Sequence, residues 1–342
     1  MTSVADSGKG AAFVTLLTGN RYAGPAACLP HQLRAVHSTL SIFLVFDDSD
    51  STLPVKLLER EYGAAQMVPL TRLRQRYTAV FGSSLATQPQ RPTGFAESRR
   101  RLYETEERAG TWLKLWIWAL PETRQFIFID VDSLILQNVD ELAEVEVPPA
   151  GLGAVACGGR FFNSGLMVFR PSLRRLYELL YYRRFVDYPW NGHVPWMYRG
   201  RAPGWVDTCS PLADPLAAVH MLARFKHLRH LNATQALRVC QKRHARNARE
   251  PALIVKACEP KLTDQSLLNH AFRSSHSLIP RHLAGSKVFD SSRRVIHFVG
   301  EPKPWSPVWS RRGETRGRRN ASLLWRSRCA TIMTRLGAPL VR

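Results

Sequence analysis

The run Phe126-Ile127-Phe128-Ile129, followed at once by Asp130-Val131-Asp132, most narrows what this chain can fold into. Consecutive apolar residues without polar alternation fit a short strand covered on both faces, as at the centre of a parallel sheet. Two carboxylates at the tip of such a strand are costly to bury unless a cation or hydrogen-bond donors compensate them. Side chains alternate along an extended segment, so Asp-x-Asp sets both carboxylates on the same side. A hard divalent cation such as Mg²⁺ or Mn²⁺ takes oxygen ligands and keeps positions open for substrate phosphates. The same triplet is also common in turns, so its meaning depends on its surroundings.

Those surroundings alternate strand and helix. Ala11 to Leu17 reads as a strand ending in Thr18-Gly19-Asn20, before a helix from Tyr22 to about His37. Ile42 to Phe46 is a second strand, and Pro54 to Tyr62 a second helix. An aromatic-rich helix, Trp112 to Leu120, stops at Pro121. Leu166 to Phe169 reads as a strand after Phe162-Asn163-Ser164-Gly165, with a helix from Pro171 to about Phe185. Thr263 N-caps a helix through Phe272, with Asp264 in its first turn where negative charge is favourable. Val295 to Val299 is a last core strand, and Gly300 to Trp305 a turn. The pattern predicts a single Rossmann-like α/β domain with a mainly parallel central sheet. Ligands of such sheets bind beyond the carboxyl ends of the strands, which puts Thr18 to Tyr22 near a site.

Two stretches break the alternation. Gln88 to Arg101 is polar and rich in Pro and Gly, the composition of a loop. Asp187 to Leu262 holds Trp190, Trp196, Trp205, three cysteines and the basic run Lys242-Arg243-His244-Ala245-Arg246; it reads as an insertion with a helix from Leu212 to His230. The domain is therefore expected over residues 11–305, with 187–262 an insertion and candidate acceptor-side subdomain, and 306–342 a basic C-terminal tail.

Net charge is +21, which favours an anionic partner: a nucleotide diphosphate, an acidic glycan, nucleic acid or a membrane surface. Ser306 to Arg342 carries nine Arg and one Glu, yet no RNA- or DNA-binding signature accompanies them, so no nucleic-acid partner is expected. The six cysteines form no C-x-x-C pair, which argues against a zinc site; Cys209, Cys240 and Cys258 would allow one disulfide in an oxidising compartment. There is no run of about 18 apolar residues and no apolar N-terminal segment, which favours the cytoplasm. Sequons at Asn232 and Asn320 leave a Golgi or other luminal location open for a chain trimmed of an anchor.

His297 and Lys303 read on their own as a core histidine and a surface lysine. Beside a metal they become a ligand and a diphosphate partner. Five blocks then carry a resemblance. They are Ala12 to Asn20 with Tyr22; Lys114-Leu115-Trp116 followed by Phe126 to Leu136; Phe162 to Leu166; Asp264-Gln265-Ser266-Leu267-Leu268-Asn269; and His297 to Trp305. In this order the chain resembles the family 8 glycosyltransferases, specifically the glycogenin-like branch, to which galactinol synthases and plant glucuronosyltransferases are related. The resemblance implies a GT-A fold and a manganese-dependent hexosyltransferase that retains anomeric configuration and uses a UDP-sugar donor, UDP-glucose or UDP-galactose first. It makes Asp130, Asp132 and His297 the metal ligands. Leu16, Thr18, Asn20 and Tyr22 become the nucleotide pocket, with the Asp130-Val131-Asp132 segment beside it. Lys114, Ser164, Gly300 and Lys303 become donor contacts, and Asn163, Asp264 and Gln265 the residues around the reacting centre. The family's donor-contacting arginine has two candidates, Arg101 and Arg108, and stays unassigned.

The chain departs from glycogenin in one decisive respect. Glycogenin glucosylates its own tyrosine, which lies between the Asp-Gln and His-Phe blocks, whereas here no tyrosine follows Tyr198. The expected acceptor is therefore a separate molecule: a glycan, lipid, polyol or protein. Two further readings stand beside the transferase. A catalytically degenerate protein binding glycan or another anionic partner would have no need to keep three candidate ligands. A metal-dependent phosphohydrolase or nucleotidyltransferase leaves the Asn-Ser-Gly and Asp-Gln blocks unexplained.

Overall fold

The computed structural model describes residues 10–83, 110, 112–121, 124–148, 151–158, 161–185, 264–272, 275–280, 282–285, 292–298, 303–305 and 316–335. The insertion at 187–262, the Gln88 to Arg101 loop, Arg101, Arg108, Thr263 and Gly300 all lie outside them.

Strands β1 (Ala12–Leu17), β2 (Ile42–Phe46) and β3 (Met67–Pro69) alternate with helices α1 (Ala23–Ala35), α2 (Val55–Tyr62) and α3 (Leu70–Phe81). A 3-10 segment, Leu113–Ala119, leads into β4 (Phe126–Ile129) and β5 (Ser133–Ile135). Then come β6 (Leu152–Gly158), β7 (Phe161–Phe169), α4 (Leu173–Phe185), α5 (Asp264–Ala271), β8 (His276–Ile279), β9 (Ala284–Gly285), β10 (Val295–His297) and α6 (Arg316–Arg335).

Seven strands form one sheet in the order β3-β2-β1-β4-β7-β6-β8. Both pairings of β7 are antiparallel and the other four are parallel, so the mainly parallel sheet expected from the sequence is present. A smaller sheet, β5-β10-β9, stands beside it. Period-two alternation divides β4 between the two faces: Phe126 and Phe128 enter one core with Trp118 and Phe169, while Ile127 and Ile129 enter the other with Phe13 and Leu29. Both faces are covered, which is why the strand's sequence is apolar throughout.

The structure differs from expectation in three places and adds a disulfide that the sequence reading did not pair. Residues 113–119 wind as a 3-10 helix, with Lys114 to Ala119 all buried. Asn163-Ser164-Gly165 lies inside β7 rather than ahead of a strand, because pairing with β6 resumes at Asn163 across a register shift between Ala154 and Val155. The basic segment expected as a tail contains α6, which packs on α1 through an apolar stripe that includes Ala321, Trp325, Cys329 and Met333. The disulfide found joins Cys28 to Cys329, 301 residues apart, while Cys209, Cys240 and Cys258 lie outside the described residues. Among the described residues no helix is long and apolar enough to cross a membrane.

Candidate active site

Asp130 begins where β4 ends, and its N–H donates to the Gly165 carbonyl of the adjacent β7 at 2.8 Å. Two residues on, the Asp132 carbonyl accepts the Phe298 N–H at 2.9 Å, and β5 pairs antiparallel with β10 so that Ser133 faces His297. The junction of the two sheets thus brings His297 to the carboxylates from 165 residues away in sequence. His297 Nε2 is 3.0 Å from Asp132 Oδ1 and 3.5 Å from Asp130 Oδ2. One ligand atom from each of Asp130, Asp132 and His297 lies within 4.8 Å of the others. This mixed oxygen and imidazole set suits Mn²⁺, and Asp130, about a quarter exposed, leaves an open side for a substrate.

Asn163 aims the imidazole. Its Oδ1 accepts the Gly165 N–H at 2.9 Å, so the same oxygen acts as acceptor toward His297 Nδ1, also at 2.9 Å. A proton on Nδ1 leaves Nε2 directed at the carboxylates, the orientation seen when a ligating histidine is fixed by an outer partner. Gly165 is required for this approach: a Cβ built there would fall 2.2 Å from His297 Cε1 and Nδ1.

Two lysines complete the cluster. Lys114 Nζ lies 3.1 Å from Asp130 Oδ1 and 3.1 Å from Asp264 Oδ2, over the face of Phe128 at 4.8 Å. Lys303 Nζ donates to Asp132 Oδ2 at 2.5 Å and to the Phe298 carbonyl at 2.6 Å. Three carboxyl groups share two ammonium groups, so the cluster lacks one cationic partner unless His297 is protonated. Burial alone would lower the Lys114 pKa, but Asp130 and Asp264 outweigh it and raise it. Burial would likewise raise Asp132, yet His297 and Lys303 hold it well below the usual carboxylate range. For Asp130 burial wins over Lys114 and His297, with Asp132 and Asp264 adding to it, and its pKa is raised. His297 is raised because Asp132 overcomes the effect of burial.

The Asp-Gln block meets the Asn-Ser-Gly block directly. Ser164 Oγ donates to Asp264 Oδ2 at 2.8 Å, and Gln265 Oε1 accepts from Asn163 Nδ2 at 3.0 Å and from the Ser164 N–H at 3.2 Å. Asn269, one turn along α5, pins that helix to β7: its Oδ1 accepts the Phe162 N–H and its Nδ2 donates to the Phe162 carbonyl, each at 2.9 Å. Sequence reading gave Asn269 no role, although its spacing of four from Gln265 puts both on one helical face.

β1 runs parallel to β4, so Thr18 to Tyr22 emerge at the same sheet edge as Asp130. Gly19 adopts φ 148°, a conformation glycine enters freely, and it turns the chain out of β1. Thr18 and Tyr22 are half-buried and Asn20 is exposed, while the side chains of Leu16 and Val131 are buried in the core. Tyr22 meets Trp305 edge to face at 5.9 Å, which brings the β1 loop to the Lys303 turn. Gln32 of α1 was not singled out from sequence. Buried, it accepts the Ile135 N–H at 2.8 Å and donates to the Ser133 carbonyl at 3.3 Å, fixing β5 behind the site.

A mainly parallel α/β sheet whose central strand delivers Asp-x-Asp to its carboxyl edge, where a histidine from a last strand meets it, is the GT-A arrangement expected from the sequence. Comparison with known proteins narrows this. Glycogenin-1 of Caenorhabditis elegans is 28% identical over 177 residues, 52% of this chain and 34% of that protein. Glycogenin-1 of Mus musculus is 29% identical over 172 residues, 50% of this chain and 44% of its own length. A putative UDP-glucuronate:xylan alpha-glucuronosyltransferase 3 of Arabidopsis thaliana is 47% identical over 60 residues, 17% of this chain and 9% of that one. The chain therefore spans less than half the length of these relatives. No protein-family model matches it. The solved galactosyltransferase LgtC superposes loosely, with a TM-score of 0.45 at 11% identity over 93% of this chain and 95% of that one. By those matches the chain is similar to glycogenins over about half of its length and to a plant glucuronosyltransferase over a shorter stretch.

Proposed function

We propose that the chain moves a hexosyl group from a UDP-sugar, UDP-glucose or UDP-galactose first among donors, to a separate acceptor with retention of anomeric configuration. The observation that carries this reading is the convergence of Asp130, Asp132 and His297 between Lys114 and Lys303. In it the three would hold Mn²⁺ or Mg²⁺, which supplies Lewis-acid stabilisation to the departing diphosphate. Lys303 and Lys114 add fixed positive charge where the leaving group gathers negative charge. Leu16, Thr18, Asn20, Tyr22 and Val131 would line the nucleotide side, with Gly300, outside the described residues, as a further donor contact.

Asn163, Ser164, Asp264 and Gln265 form one hydrogen-bonded unit, suited to orient the donor sugar and acceptor hydroxyl rather than to attack. Both Asp264 carboxylate partners, Lys114 and Ser164, hold that side chain in place. Same-face attack by the acceptor, with the leaving diphosphate taking the hydroxyl proton, asks mainly for positioning and electrostatics from these residues. A separate acceptor follows from the absence of tyrosine after Tyr198.

Product analysis with a panel of UDP-sugars and candidate acceptors tests the reading. One donor should yield a glycoside of unchanged anomeric configuration. Inverted product would overturn retention. Free phosphate or pyrophosphate as the main product would overturn the transferase itself.

A further inference from the structure

We propose that Arg326 of α6 is a positioning residue for Lys303, which makes the C-terminal helix a built part of the donor site. The inference rests on the reading of Lys303 as a diphosphate contact. Arg326 Nε donates to the carbonyl of Pro304 at 2.7 Å, the residue next to Lys303. On the same helix the buried Trp325 packs on Trp305 with ring centroids 5.1 Å apart, and Trp305 in turn meets Tyr22. The 303–305 turn is therefore held by α6 at two points, Pro304 through its backbone carbonyl and Trp305 through its ring.

The grip is anchored to the body of the domain at separate points. Cys329, three residues beyond Arg326, is disulfide-bonded to Cys28 of α1. Arg328 donates to the Ile135 carbonyl at the end of β5, the strand that follows Asp132. At the far end of α6, Arg335 lies 3.6 Å from the half-buried Glu61. A lysine side chain has four rotatable bonds and loses much freedom when fixed, so holding its backbone and neighbours in advance lowers the cost of binding a diphosphate there.

The test is a double-mutant cycle read by calorimetric titration of UDP with Mn²⁺ into wild type, Arg326→Ala, Lys303→Met and the double variant. Arg326→Ala should weaken UDP about tenfold, roughly 1.4 kcal/mol, and Arg326→Lys, which keeps a donor, should recover part of that. In the Lys303→Met background the arginine substitution should add nothing, because its effect runs through the lysine. Equal losses in both backgrounds would mean that Arg326 only supports the fold, and would overturn the proposal. So would unchanged UDP affinity in Arg326→Ala. Failure of the wild type to bind UDP would instead count against the donor-site reading on which the proposal rests.

Discussion

Asn163 Oδ1 and His297 Nδ1 lie 2.9 Å apart, joining the middle of β7 to the end of β10. The contact gives Asn163, Gly165 and His297 one shared role. The amide oxygen turns the ring, Gly165 leaves room for it, and the far nitrogen reaches both carboxylates. Asn163→Ala should therefore lower Mn²⁺ affinity about 10- to 100-fold, as loss of an outer-shell partner commonly does. Gly165→Ala should cost at least as much, since its Cβ would occupy the ring position. Mn²⁺ titration followed by electron paramagnetic resonance checks both; wild-type affinity in either variant would break the link between β7 and the histidine.

Asp132→Asn removes a candidate ligand and the partner of Lys303 and His297 together. Several kcal/mol of transition-state stabilisation should disappear, so turnover should fall about 100-fold or more while circular dichroism stays native. An active variant would sink the ligand assignment.

Asn269→Ala strips both backbone groups of Phe162 of their partner. Leaving buried donors and acceptors unmatched costs about 1–3 kcal/mol each way, so urea unfolding should report a clear loss of stability. The Asn163 and Ser164 contacts to Gln265 should loosen with it, lowering turnover further than stability alone explains.

Tyr77 lies buried with no hydrogen-bond partner for its hydroxyl among the described residues. Burial, with Tyr177 adding to it, pushes its pKa from an ordinary 10.0 up to about 12. The folded state holds the proton more tightly, so this contribution to stability is whole below pH 10 and is lost as pH rises through about 12. Tyr77→Phe should match wild type at pH 7, or exceed it by up to about 1 kcal/mol. It should also lose less stability between pH 10 and 12. Parallel alkaline losses in both proteins would contradict the assignment.

The sequence makes legible what is local or strongly patterned. β2 and β4 stand at the residues their apolar runs mark, and the Asp-x-Asp falls at the strand tip as its placement requires. What it hides are contacts between distant segments. β6, Leu-Gly-Ala-Val-Ala-Cys-Gly, is built from small residues and owes its strand to β7 and β8 on either side. Gln32, Asn269 and Arg326 each act on a backbone group brought near only by the fold, and only Asn269 is hinted at by spacing, four residues from Gln265. The charge of α6 likewise masks a stripe at residues 321, 325, 329 and 333, whose interval of four is that of a buried helical face.

The proposed activity is metal-dependent transfer from a UDP-sugar at Asp130, Asp132 and His297. It is tested most directly by measuring UDP release from each UDP-sugar in Mn²⁺ and again in EDTA. The account predicts release from one donor that EDTA abolishes and added Mn²⁺ restores. Release undiminished by EDTA, or none from any donor in Mn²⁺, would contradict it.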